Sequence, residues 1–365
     1  MPFWSKKRKQ NTRLNDYDAP RDVYIEPTRR DIPSWLLPLI IFLLIVLIVF
    51  YLAPRITTSV IQLFKPAAAT GDAVLDDLYG EETLVVTESV ANLLADDDLK
   101  SSRVAQALYN EPVTQLKEQT NFGFTAVRLR DGTTGYMFSD QLTDYRGSVE
   151  PAGHSYRLVI TAASRRVMSH ASRGTLVAEV MMGTELFADY RGNGIYRVHL
   201  PGGGKGWISD EGTVALGIHE KLKPPADLER YFVSSAMAFH KVTRLENGLS
   251  IRGASSSGIA YIAGLVNGVD LPRSLASLYT TGTPMPFSRD AETGLLSTSD
   301  LHTGDLVFMA ATVNGSEAQE MGIVMEDGQL LMTRRGSTSV RLINLDQEPE
   351  LNRLIIGIRR VLPQR

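Results

Sequence analysis

The chain has 365 residues, a formal net charge of −3, 43% hydrophobic residues and no cysteine. That length accommodates two to four domains of ordinary size. The absent cysteine excludes a disulfide framework and any thiolate nucleophile. The weakly acidic balance, with the basic surplus gathered in residues 1–34, argues against nucleic acid as a partner.

Residues 1–34 form a basic tail carrying Lys6, Lys7, Arg8, Lys9, Arg13, Arg21, Arg29 and Arg30, too poor in apolar residues to fold alone. From Trp35 to Ala53 the chain is uncharged and almost wholly apolar, with Trp35 and Tyr51 at its ends. At 1.5 Å per residue the run reaches roughly 28 Å, about one hydrocarbon core, and predicts a single transmembrane helix over 35–53. A signal peptide would have a shorter leader and a small-residue cleavage site close behind the apolar run, where Pro54 and Arg55 stand instead. Basic flanks stay in the cytoplasm, so the amino terminus is expected inside and everything after a linker at 54–84 outside.

Two segments about 71 to 73 residues apart resemble each other. Val104-Ala105-Gln106 matches Val177-Ala178-Glu179. Farther on, Val127-Arg128-Leu129-Arg130-Asp131-Gly132 with Gly135-Tyr136 matches Val198-His199-Leu200-Pro201-Gly202-Gly203 with Gly206-Trp207. Short alternating runs followed by glycine turns predict hairpins, hence a small all-β barrel at 85–145 and another at 155–217. The strand, turn and closing Gly-aromatic pattern resembles bacterial SH3-like domains. That resemblance makes Tyr136 and Trp207 candidate ligand-binding residues for cell-wall peptide, against the plainer reading of half-buried barrel aromatics. Gly202 to Gly206 around Lys205 lacks the Ser or Thr and the helix of a phosphate loop, and the six histidines show no metal-ligand spacing. No cofactor and no metal is expected.

Pro224 and Pro225 mark a linker into a last domain at 226–365. Leu228, Phe232, Ala236 and Phe239 recur at helical spacing. Ser255, Ser256 and Ser257 precede a second helical face of Ile259, Ile262, Ala263 and Val266, with Gly268 as a stop; Ser256 reads as the helix N-cap. The segment Val242 to Gly258 lines up without a gap on V-P-Y-L-W-G-G-T-S-P-R-G-I-D-C-S-G, and so resembles the nucleophile segment of NlpC-type cell-wall endopeptidases. Leu271-Pro272-Arg273, Leu301 to Phe308 and Glu320-Met321-Gly322-Ile323-Val324 resemble further elements of that family in the same order, from about Leu228 to about Leu362.

The resemblance implies a papain-like α+β fold, in which a cysteine at a helix start, a histidine on the sheet and a third polar residue cleave peptidoglycan stem peptides. In this chain those positions hold Ser256, Glu320 and Met332, while Arg244 and Glu246 stand at the family's tyrosine and tryptophan. A hydroxyl needs an adjacent base to become a nucleophile. The expectation is therefore a multidomain protein with a transmembrane helix, two SH3-like barrels and a catalytically dead last domain, whose Arg244 and Glu320 pair across the old cleft. It is expected in the bacterial inner membrane, binding peptidoglycan stem peptides or envelope proteins rather than acting as an enzyme. The alternative is an active endopeptidase with a non-cysteine nucleophile such as Ser256.

Overall fold

The computed structural model describes Leu39, residues 82–297 and residues 301–363. The tail at 1–34 and, apart from Leu39, the expected span at 35–53 lie outside the described residues. Among those described, no helix is long and apolar enough to cross a membrane. The longest run ten residues, or ~15 Å, half a bilayer core. This corrects two expectations: a transmembrane helix in the fold class, and a single-pass protein of the inner membrane. The described chain is mostly β, with four sheets and few, short helices.

The first sheet contains β1 (Thr83–Val86), β2 (Val90–Leu94), β3 (Arg103–Leu108), β4 (Pro112–Gln115), β5 (Phe124–Arg128), β6 (Thr134–Phe138) and β7 (Leu142–Thr143). The second contains β8 (Tyr156–Ile160), β9 (Ser164–Met168), β10 (Leu176–Met181), β11 (Glu185–Gly192), β12 (Ile195–His199), β13 (Lys205–Ser209) and β14 (Thr213–Gly217). Their strand orders are β3-β2-β6-β5-β4-β1-β7 and β10-β9-β13-β12-β11-β8-β14. Each strand of the second takes the place of the strand seven before it in the first. Inward alternation fills each unit separately, with Leu93, Val127 and Met137 in one core and Leu158, Val198 and Ile208 in the other. The paired glycines of the sequence repeat have one cause. A Cβ on Gly135 would strike the carbonyl oxygen of Leu94, and one on Gly206 the side chain of Val167.

After these come α1 (Leu228–Met237), β15 (Leu249–Ser250), β16 (Gly253–Ala254), α2 (Ser256–Leu265) and α3 (Leu275–Thr280). Then follow β17 (Thr283–Met285), β18 (Leu306–Met309), β19 (Glu320–Val324), β20 (Leu330–Met332), β21 (Arg341–Ile343), α4 (Pro349–Arg353) and β22 (Ile355–Arg360). The strands from β17 onward form a six-stranded sheet of order β17-β22-β18-β19-β20-β21. Alternation splits it cleanly into two faces. Leu306, Phe308, Met321, Ile323 and Leu331 bury against α1 and α2. Val307, Met309, Val324, Leu330 and Met332 bury on the opposite face with Leu351 of α4.

The α1/α2 core does not stop at the last domain. Leu108 of the first unit and Val159, Met181, Met182 and Leu216 of the second belong to the same apolar cluster as Phe232 and Ile262. Each fully buried Ile or Leu there contributes about 1.5–3 kcal/mol. Polar contacts reinforce the junction at equivalent places in the repeat. Gln106 Oε1 on β3 accepts from the backbone N–H of Leu249 at 3.1 Å, and Glu179 on β10 accepts from Arg252 at 2.8 Å. Both grip the β15–β16 hairpin.

Arg273, buried at 6% exposure, binds the first unit to the last domain. It donates to the Gln106 carbonyl and to Glu111, both at 2.7 Å, and to the Tyr261 hydroxyl at 3.0 Å. Its Nε also lies 2.9 Å from Asp131, an ion pair without the angle of a hydrogen bond. Burial alone would lower its pKa, but the carboxylates of Glu111 and Asp131 outweigh it and hold the guanidinium above its ordinary value.

Candidate active site

The Ser255-Ser256-Ser257 run starts α2, but the cap is one residue earlier than the sequence indicates. Ser255 has extended backbone and its Oγ accepts from Gly258 N at 3.2 Å, leaving Ser256 as the first helical residue. Gly258 then lets the helix approach the β15 turn: a Cβ there would run into the carbonyl oxygen of Gly248. That carbonyl accepts from both the backbone N–H and the hydroxyl of Ser255, at 2.8 and 3.2 Å. The helix start is thus locked to the loop Leu245 to Leu249.

Ser256, 3% exposed, faces Thr333 just beyond β20. Thr333 N–H donates to Ser256 Oγ at 2.8 Å, Ser256 N–H donates to Thr333 Oγ1 at 3.2 Å, and the two hydroxyls lie 3.1 Å apart. Around them opens a cleft of about 180 Å³ whose lining includes Arg244, Asn247, Ser256, Glu320, Thr333 and Arg335. It is smaller than the ~300 Å³ of an enclosed small-molecule pocket.

Three of the expected site residues, Ser256, Glu320 and Arg244, therefore meet at one cleft. Met332 does not. It is fully buried on the far face with Val324 and Leu330, because neighbouring residues on a strand point to opposite faces. The polar residue that reaches Ser256 is Thr333. Nor do Arg244 and Glu320 pair with each other. The Arg244 guanidinium binds Glu246 at 2.8 Å, and the Glu320 carboxylate accepts from Arg335 N–H at 2.5 Å. Among the described residues, no Arg244–Glu320 salt bridge spans the cleft. Thr333, Asn247 and Arg335 escaped the sequence reading; a polar residue beside an apolar strand end was the available signal for Thr333.

Tyr136 and Trp207 occupy equivalent places on β6 and β13 and do not line this cleft. The Tyr136 hydroxyl donates to Glu118 at 3.3 Å, and the charge on Glu118 raises its pKa. The Trp207 ring meets Tyr190 edge-on at 5.8 Å, and the Arg197 guanidinium stands 5.9 Å from its centroid. Arg197, His199 and Lys205 all converge on Asp189, at 2.8, 3.0 and 2.6 Å. Burial pushes the Asp189 carboxyl up, yet the hydrogen bonds from these three hold it well below the usual range.

No family model matches the chain. It is 24% identical over 265 residues to the gamma-D-glutamyl-L-lysine dipeptidyl-peptidase of Bacillus cereus, a match covering 71% of this chain and 75% of that protein. The crystal structure of an NlpC/P60 family protein from Bacillus cereus superposes with a TM-score of 0.65 at 18% identity, over 77% of this chain and 100% of that one. An NlpC/P60 endopeptidase from Photobacterium damselae subsp. piscicida is more distant, with a TM-score of 0.48 at 10% identity over 76% of this chain and 72% of that one.

The fold is that of an NlpC/P60 peptidase-like protein. The Bacillus cereus relative is named as a peptidase, which points to an enzyme and corrects the expectation of a non-enzyme. That expectation rested on Ser256, Glu320 and Met332 at the family's cysteine, histidine and third polar positions, with an Arg244–Glu320 pair across the cleft as a further hypothesis. Met332 lies outside the cleft, and the two charges pair elsewhere.

Proposed function

We propose that this protein is a cell-wall peptide hydrolase that cleaves an amide of peptidoglycan stem peptides at the cleft around Ser256. The observation that carries the reading is the placement of a nucleophile-type hydroxyl at the first residue of α2, in an open cleft of a peptidase-like fold. Helix N–H groups of the first turn have no partner inside the helix. They supply positive potential where an amide oxygen gathers negative charge.

In this reading Ser256 Oγ bonds to the amide carbon, the C–N bond breaks, and the leaving nitrogen takes up a proton. Water then releases the acyl group from the serine. The hydroxyl proton passes to a carboxylate base and from it to the leaving nitrogen; two carboxylates line the cleft, Glu320 and Glu246, and Glu246 is already bound by Arg244, which leaves the role to Glu320. The Thr333 N–H fixes where Ser256 Oγ stands. The two seven-stranded units act in this proposal as SH3-like modules that hold the protein to wall peptide through Tyr136 and Trp207. Their identical strand order and the equivalent places of the two aromatics support that role.

The test is digestion of purified sacculi by the protein, followed by separation of soluble fragments. Release of stem-peptide fragments that disappears in Ser256→Ala supports the reading. No release by the unmodified protein, or equal release by Ser256→Ala, overturns it.

A further inference from the structure

The side chain of Asn92, on β2 of the first unit, does not line the cleft, yet hydrogen bonds joined by one short stretch of loop connect it to Ser255, the neighbour of Ser256. Its Oδ1 accepts from Arg103 Nε at 2.7 Å and from Gln106 Nε2 at 2.9 Å. Those two side chains then reach into the last domain. Arg103 donates to the Glu246 carbonyl at 2.9 Å, and Gln106 accepts from Leu249 N–H at 3.1 Å. The Asn247 side chain returns a bond to the Arg103 carbonyl at 2.8 Å. Asn247 itself holds a left-handed backbone, φ +53°, which a non-glycine residue keeps when its surroundings fix it. Between these anchors lies Gly248, whose carbonyl receives the Ser255 N–H and hydroxyl next to Ser256.

We infer that Asn92 is a positioning residue for the cleft: by fixing Arg103 and Gln106 it sets the loop 246–249, and through Gly248 and Ser255 it sets where the Ser256 hydroxyl stands. The first seven-stranded unit then braces the cleft-lining loop from behind rather than being only a module joined to the last domain. The chemistry favours this assignment. One amide oxygen with two lone pairs serves two donors, so a single side chain holds together two long ones that each also reach the loop 246–249. Gln106 is 5% exposed, which makes its unpaired amide costly if the acceptor is lost. The role of the loop in turnover rests on the hydrolase reading above; the loop's dependence on Asn92 does not.

Hydrogen exchange on the full chain separates the two. In Asn92→Ala, peptides spanning 246–255 are expected to exchange roughly 5- to 10-fold faster, as loss of about one hydrogen bond of local stability requires. Asn92→Asp, which keeps an acceptor oxygen in place, restores protection. Arg103→Met gives the same local change and decides the matter where Asn92→Ala loosens the whole first unit. Unchanged exchange at 246–255 in both Asn92→Ala and Arg103→Met overturns the inference, whether or not the protein releases fragments from sacculi. Where release occurs, Asn92→Ala lowers kcat and leaves KM nearly unchanged, and Asn92→Asp recovers it.

Discussion

Thr333 and Ser256 hold each other by two reciprocal bonds, each backbone N–H donating to the other's hydroxyl oxygen. This pair joins the end of β20 to the start of α2 across 77 residues of sequence. Thr333→Val keeps the shape and removes the hydroxyl, so Ser256 N–H loses its acceptor in a buried place. The expected loss is about 1–3 kcal/mol of stability by urea unfolding. Thr333→Ser stays near the unmodified value. Fragment release, where present, falls in the valine variant only.

Asp305, 1% exposed, takes two bonds of 2.8 Å from the Arg360 guanidinium and so ties β18 to β22 in the sheet that carries Glu320. Removing one member of a buried pair strands the other charge. Asp305→Ala is expected to cost about 3–5 kcal/mol, read as a fall in the urea midpoint at unchanged slope. A cost within experimental error would mean that the pair contributes nothing to the fold.

Arg273 donates to two acceptors on the first unit, forms an ion pair there with Asp131, and lies over the Tyr261 ring on α2 with its guanidinium carbon 4.6 Å from the ring centroid. Lysine cannot reproduce a planar fork with several fixed donors. Arg273→Lys is therefore expected to lower thermal stability nearly as much as Arg273→Met. Full rescue by lysine would show that charge alone matters at this junction.

His154 packs edge-on against His199 at 4.4 Å and donates through Nδ1 to the Glu150 carbonyl at 2.8 Å. Burial, followed by the neighbouring His199, lowers its pKa below the ordinary 6.5. The unfolded chain therefore binds a proton at this residue more readily than the folded one. Folding stability contributed here is complete above about pH 6.5 and declines as the pH falls toward the lowered value. His154→Asn is expected to flatten the acid limb of a Tm-against-pH curve below pH ~6.5. An unaltered acid limb would remove His154 as its source.

Tyr261 and Tyr109 give the opposite limb. Burial pushes both phenols up to about 12, so the unfolded chain loses these protons first. Stability is expected to fall as pH rises above about 10, less steeply in Tyr109→Phe. Equal alkaline slopes in the two proteins would contradict this.

The helices of the last domain were legible because burial on them follows a simple period. Leu228, Phe232, Ala236 and Phe239 all enter the core, as helical spacing requires. The D-G turn at Asp327-Gly328 closes a hairpin, with Gly328 at φ +75° and the Asp327 carboxylate accepting from Gln329 N–H. What failed was resolution to a single residue. Spacing from an alignment placed the third polar position at Met332, but the face of the strand is set by pleat and pairing, and that puts Thr333 at the cleft. The cap slipped from Ser256 to Ser255 for a similar reason, since three successive serines are equal candidates until the turn at Gly248 chooses one. Arg244 and Glu320 carry opposite charges near one cleft, yet each has a closer partner that a linear sequence does not rank.

The matched positions Gln106 and Glu179 have a mechanical implication. A duplicated module usually offers its two copies to different neighbours, whereas here both copies close on the same short hairpin, one on Leu249 and the other on Arg252. The hairpin is held at two points by matched positions of the repeat. Shifting the spacing between the modules by even a few residues would release one jaw, so indels in the connector at 144–155 should be far less tolerated than its loop character implies.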